Sequence, residues 1–189
     1  MSYEWANKAR LDVLKVEGHD SRLFFKTDKE EAEVYLDGQD IDRVVHRYNG
    51  VETLISNKDS QHIVVGSGNE ERNVYHYLTP KGPAPELRLG ITKHKGIGTW
   101  SSLPHDFELN LEPGFEEVFF HLISGTKKRA LQIGEGVWHD NSPVKDAWFV
   151  EDHTFSTIPM GYHPVVGEPG TTVHYVWVYV CKHKHWEKI

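Results

Sequence analysis

The sequence predicts an all-β fold, a sandwich or barrel of short strands. Three features carry this reading. Runs rich in Val, Ile, Thr and aromatic residues recur at intervals of about 8–12 residues, each cut by Gly, Pro, Asn or Asp. No strand–helix alternation of the kind that builds a parallel sheet is visible. Residues 173–180, Val-His-Tyr-Val-Trp-Val-Tyr-Val, set small aliphatic side chains against large ones, as in a strand with two differently used faces.

Taken in order, residues 3–16 carry the best helical pattern, and the acidic stretch 28–34 a weaker one. A strand is expected at 44–48, ended by Asn49-Gly50, a pair suited to a tight hairpin turn. Further strands are expected at 51–56, 62–66 and 73–78. Thr79-Pro80-Lys81-Gly82-Pro83 is the strongest break and divides the chain into 1–82 and 83–189. Beyond it, strands are expected at 87–93, 99–103, 117–124, 128–133, 148–150, 154–159 and 171–180.

Composition narrows the function. The 189 residues suffice for one domain with an appendage. With 38% hydrophobic and 26% charged residues, the chain has a globular mixture. No apolar run approaches the roughly 20 residues that span a bilayer, so a membrane protein is not expected. The N-terminus lacks the basic and apolar regions of a signal peptide, and Cys181 is the only cysteine, which together point to the cytoplasm. With 28 acidic against 21 basic residues and no basic block, nucleic acid and anionic membrane are poor partners. Thirteen histidines direct attention to a metal site.

The second half holds a plausible ligand set. His105 follows Pro104, Glu117 lies a dozen residues on, and His163 follows the Pro159-Met160-Gly161 turn. Two neutral imidazoles and a carboxylate suit Zn, Fe, Mn or Ni. On a strand, Glu117, Phe119 and His121 share one face, which makes His121 a possible fourth ligand. Glu116 then faces the other way, as a solvated or supporting residue. Trp100, Trp138, Trp148 and Trp177 are expected to pack the barrel, with one or two of them available to line a sugar pocket. Residues 127–129, Lys-Lys-Arg, read as a solvated turn, with Lys128 and Arg129 as alternatives for meeting a ligand carboxylate. The tail Lys182-His183-Lys184-His185 reads as an exposed end.

Trp100-Ser101-Ser102-Leu103-Pro104-His105, Glu116-Glu117-Val118-Phe119-Phe120 and Pro159-Met160-Gly161-Tyr162-His163-Pro164-Val165 together resemble the cupin-type uronate isomerases. Within them the pattern is most similar to the 5-deoxy-glucuronate isomerases of myo-inositol catabolism. The resemblance runs from about residue 73 to 186 and includes Gln132, Ala147 and Phe149. It implies a bicupin of two jelly-roll halves, with 1–82 as a reduced first half and 83–189 as a complete barrel. It also implies a divalent metal (Zn, Mn, Fe or Ni) held by His105, Glu117 and His163. The family's second histidine, in Pro-His-x-His, is replaced here by Phe107, so His121 or a water would have to complete the shell. The implied activity is metal-dependent aldose–ketose isomerisation, an intramolecular oxidoreduction, of a deoxy-uronate such as 5-deoxy-glucuronate. The alternative is a non-catalytic, degenerate sugar-binding cupin. His121 and Tyr162 are the nearest candidates for the proton-shuttling base, with Glu108 and Asp140 weaker. The expected partner is a small sugar acid, and a homodimer is expected to cover the edges that a reduced first half leaves open.

Overall fold

The computed structural model describes residues 2–9, 11–96, 100–101 and 115–181. Strand β1 (Glu4–Asn7) opens the chain, followed by β2 (Lys15–His19), β3 (Arg22–Lys26), β4 (Glu30–Asp37), β5 (Asp40–Tyr48) and β6 (Val51–Ser56). Next come β7 (Gln61–Val65), β8 (Arg72–Leu78), β9 (Leu87–His94) and the short β10 (Trp100–Ser101). The rest of the fold is β11 (Glu117–Gly125), β12 (Arg129–Val137), β13 (Pro143–Glu151), β14 (Thr154–Ile158), β15 (Met160–Tyr162), β16 (Val165–Gly167) and β17 (Thr171–Val180). The described helical residues are two single 3-10 turns, Asn57–Asp59 and Gly68–Glu70, so the all-β expectation holds. No helix among the described residues is long and apolar enough to cross a membrane.

The strands form three layers. The first is an antiparallel meander, β2-β3-β4-β5-β6. The second is a seven-stranded sheet in the order β1-β14-β11-β17-β9-β8-β7. The third joins β10-β16-β12-β13, with β15 also paired to β12. The central strands of the middle sheet, β11, β17 and β9, are buried on both faces, which explains their two-sided pattern, while the edge strand β7 is exposed. In β17, Val176, Val178 and Val180 join Val118, Phe120 and Leu122 of β11 in the core facing the first sheet. Val173, Tyr175, Trp177 and Tyr179 face the third sheet with Phe119 and Ile123. Each such side chain contributes about 1.5–3 kcal/mol on burial. Gly90 of β9 is the place where the Trp177 indole lies on the backbone. A Cβ there would overlap that ring and the Tyr75 carbonyl.

The second and third sheets pack face to face around the barrel core, and β2–β6 form a separate meander against the second. Strands β1, β7 and β8, from the first 82 residues, belong to the second sheet, so the strands do not divide between sheets at residue 82. The uncovered face of the first sheet is a lattice of charges: Arg47 pairs with Glu31, Glu33 and Glu52, and Arg22 with Glu33. A cavity of about 270 Å³ on this face is lined by Lys15, Glu17, Phe24, Lys26, Glu33 and Arg47, among others. The Pro/Gly-rich segment at 79–83 is a connection within one sheet, since β8 and β9 pair on either side of it.

Two expected helices are strands instead. In residues 3–16, Tyr3 and Trp5 pack on the core between the first two sheets, and β1 pairs with β14. The backbone N–H groups of Asp12, Val13 and Leu14 bond the Glu116 carboxylate rather than a helix. At 28–34 the acidic residues find cross-strand cations, which lets β4 sit mid-sheet despite its charge. Glu30 of β4 is buried: Oε2 lies 2.5 Å from His46 Nε2, and Oε1 accepts the N–H groups of Glu86 and Leu87. Glu30 and Glu116 are thus reciprocal ties, each collecting the backbone that leads into the other half's sheet.

Candidate active site

Strand β11 sets the site. It pairs with β14 and β17, placing Glu117 opposite Ile158 and Tyr179, and His121 opposite Tyr175. Alternation turns Glu117, Phe119 and His121 into the barrel, as expected. The fourth position in the array comes from the turn between β15 and β16. Gly161, at φ +116°, adopts a backbone conformation that L residues rarely reach, and His163 follows it into the interior, 1% exposed. Its Nε2 lies 3.8 Å from Glu117 Oε2.

The Glu117 carboxyl is deeply buried, and burial pushes its pKa up to about 8. His121 is wholly buried too. Its Nδ1 lies 3.2 Å from the Thr154 carbonyl, which selects the tautomer with the proton on Nδ1. Burial drives the ring's pKa down to about 4, with the Thr154 carbonyl and Gln132 opposing that shift. His121 Nε2 has no hydrogen-bond partner among the described residues. Phe119 links the imidazoles: its ring meets His163 and His121 edge to face, at 5.8 and 6.3 Å, and stacks on Tyr175 at 4.4 Å.

Gln132 of β12 fixes the His163 turn. Its Nε2 donates to the carbonyls of Ile133, His163 and Pro164, at 3.0, 2.9 and 3.2 Å. No motif of charge or spacing marks this role. The available signal was the place of Gln132 in the resemblance, which carried no role for it.

The structure therefore brings Glu117 and His163 together and keeps His121 one ring away. His105, Phe107, Glu108 and the 182–185 tail lie outside the described residues. Tyr162 is partly buried on β15 opposite Glu135. Asp140 is exposed and holds Ser142 in a surface turn. Lys128 pairs with Asp152, and Arg129 pairs with Glu168 and lies over Phe149. Both cations are engaged outside the barrel interior. Glu116 points to the opposite face, as expected, but is neither solvated nor a support of the site: it is buried, and its oxygens accept three backbone N–H groups at 2.6–2.9 Å. Trp177 packs inside the barrel, and Trp148 Nε1 donates to Ser156 Oγ.

A borderline divalent metal fits this donor pair. A buried carboxyl faces a buried imidazole at a separation one ion can bridge, and both donor types suit such an ion. Among the described residues, no group of three His, Cys, Asp or Glu converges; His105, the third donor that the resemblance implies, lies outside them.

Comparison with known proteins places the chain. A model of the KduI/IolB family matches residues 18–189. Among curated relatives, the 5-deoxy-glucuronate isomerase of Halalkalibacterium halodurans is 28% identical over 126 residues, covering 65% of this chain and 46% of that protein. The 5-deoxy-glucuronate isomerase of Bacillus subtilis subsp. natto is 27% identical over 126 residues, covering 65% and 45%. The chain spans about half the length of the curated relatives it matches. Of solved structures, an IolB-like protein from Salmonella typhimurium LT2 superposes with a TM-score of 0.62 at 20% identity, covering 98% of this chain and 76% of that one. That likeness establishes a common fold.

Proposed function

The chain belongs to the KduI/IolB family, and we propose that it is a metal-dependent aldose–ketose isomerase acting on a deoxy-uronate such as 5-deoxy-glucuronate. The observation that carries this reading is the buried Glu117–His163 pair, drawn from a strand and a distant turn to 3.8 Å inside the barrel. The names of the curated relatives supply the substrate class.

Isomerisation of this kind moves a proton between C2 and C1 while a carbonyl and a hydroxyl exchange places. When bound, a divalent ion supplies Lewis-acid polarisation of those two oxygens. Glu117 and His163 would hold it, with His105 as third donor. Gln132 keeps His163 in place by binding the turn carbonyls. His121 takes the C2 proton at Nε2 and returns it to C1. The Nδ1–H bond to Thr154 leaves Nε2 as the unprotonated, accepting nitrogen of the resting ring and offsets part of the cost that burial sets on the imidazolium. The aromatic floor of Phe119 and Tyr175 excludes water from the transfer.

One observation favours a second reading, that of a sugar-binding cupin without turnover. Phe107 stands where the resembling family has its second histidine. Metal content of the purified protein, combined with a 5-deoxy-glucuronate turnover assay, tests the two. We expect about one divalent ion per chain and isomerisation, both lost in His163→Ala. Sugar binding without metal or turnover would replace the isomerase reading with the second one.

A further inference from the structure

We infer that Arg72 and His94 form the acid-recognition end of the ligand site, Arg72 holding the ligand's carboxylate and His94 Nε2 accepting an adjacent hydroxyl. The inference rests on the sugar-acid reading above and names the residues that would select the acid over a neutral sugar.

The two residues are directly opposite each other, Arg72 at the start of β8 and His94 at the end of β9. Directly paired residues share a face, and Val74, two residues from Arg72, lies in the barrel core. Arg72 is only 7% exposed. Its Nη1 donates to the Glu70 carbonyl at 2.9 Å, and no carboxylate pairs with the guanidinium among the described residues. A guanidinium this deeply buried is costly without an anion, and its planar fork matches a carboxylate. His94, 3% exposed, commits Nδ1–H to the Val173 carbonyl at 2.6 Å. That leaves Nε2 as an acceptor, buried and without a partner among the described residues. A cationic fork beside a neutral acceptor matches a carboxylate with a neighbouring hydroxyl, as at the acid end of a uronate.

Arg88, Lys128 and Arg129 do not compete for this role. Arg88, on the same inner face, spends its Nη donors on the carbonyls of Ala84, Pro85 and Leu87. Lys128 and Arg129 are in outer ion pairs. The aromatic line also connects the two ends of the barrel interior. His94 meets Tyr175 at 6.1 Å, Tyr175 stacks on Phe119, and Phe119 meets His163.

The test titrates D-glucuronate and D-glucose calorimetrically into the wild type, Arg72→Gln and Arg72→Lys. Alongside, the Arg72 Nε–H resonance of the wild type is followed by NMR as glycolate, a two-carbon hydroxy acid, is added. We expect glucuronate to bind the wild type, about tenfold or more weaker in Arg72→Gln and intermediate in Arg72→Lys. We expect any glucose binding to be equal in all three, and the Arg72 resonance to move with glycolate. Equal glucuronate affinity in wild type and Arg72→Gln overturns the Arg72 assignment and leaves the sugar-acid reading standing. A wild type that ignores glucuronate but whose Arg72 resonance moves with glycolate ends the sugar-acid reading and keeps the hydroxy-acid site. If neither ligand registers, both fall. Should Arg72→Gln not fold, the wild-type glycolate titration decides the assignment by itself.

Discussion

Glu116 and Glu117 are consecutive residues that serve opposite faces of one sheet. Glu116 gathers the backbone N–H groups of Asp12, Val13 and Leu14, more than a hundred residues away in sequence. Glu117 turns into the barrel and lies 3.8 Å from His163. Strand alternation imposes the split, and the two carboxylates consequently do different work: one ties the chain together, the other faces the candidate site.

The tie can be weighed by Glu116→Gln. The amide keeps the shape but turns an NH2 group toward backbone donors, so at least one buried N–H loses its acceptor. We expect a loss of about 2–3 kcal/mol in urea unfolding. Amide exchange should quicken at residues 12–14 before it does in β11. Exchange rates there equal to wild type would contradict the tie.

Glu117→Gln should behave in the opposite way. In metal-free protein it removes an acidic group from a site whose burial disfavours charge. We expect the metal-free variant to be as stable as wild type or more so, by about 1–3 kcal/mol. Adding a divalent ion should raise the wild type's melting temperature and leave the variant's unchanged. An equal rise in both would show that Glu117 does not hold the ion.

His94 gives the fold an acid-sensitive element. Burial, with Arg72 and His174 nearby, lowers its folded pKa to about 4 from an ordinary 6.5, while the Val173 carbonyl pulls the other way. Well above pH 6.5 the ring is neutral in both folded and unfolded chains and contributes no pH dependence. As pH falls from 6.5 toward 4, the unfolded chain takes up the proton first, so stability drops across that window. Comparing urea midpoints at pH 7.5 and 4.5 checks this. His94→Gln should shrink the difference without abolishing it, because His121 is also held neutral by burial.

The sequence disclosed the strands whose two faces differ in kind. In β17 the small aliphatics and the large aromatics go to separate cores, and the alternation is visible in the chain. The Asn49-Gly50 turn is equally local: both residues take positive φ, as a tight hairpin requires. The N-terminal stretch misleads because what holds it extended is remote. Residues 12–14 are held out of a helix by Glu116, and β1 is held extended by β14, neither of which leaves a mark within residues 3–16. The acidic β4 misleads similarly, since its cations arrive from β3 and β5. In the site, Glu117 and His163 are both singled out by motif, and strand parity accounts for the inward turn of Glu117; the structure brings the two within 3.8 Å. The roles of Gln132 and Arg72 were not legible, because one acts on backbone carbonyls and the other is set apart by the carboxylate partner it lacks among the described residues.

Gln132 offers the sharpest test of how the site is held. Its Nε2 donates to three carbonyls, two of them on the turn that carries His163, and the residue is wholly buried. Gln132→Glu would set a carboxyl oxygen against those carbonyls in a place closed to water. The group must then either stay protonated or push the turn away, and we expect a stability loss of about 3 kcal/mol or more. Gln132→Met removes the donors without adding an acceptor or a charge, and should cost less, about 1–2 kcal/mol. If the His163 turn depends on these bonds, both variants should also lose divalent-metal affinity, by about 10–100-fold, as removal of a residue that orients a ligand does. Chelator-competition titrations with Zn, beside urea unfolding, separate the two effects. Metal affinity unchanged in a destabilised Gln132→Glu would mean that the amide supports the strand alone and that His163 finds its position without it.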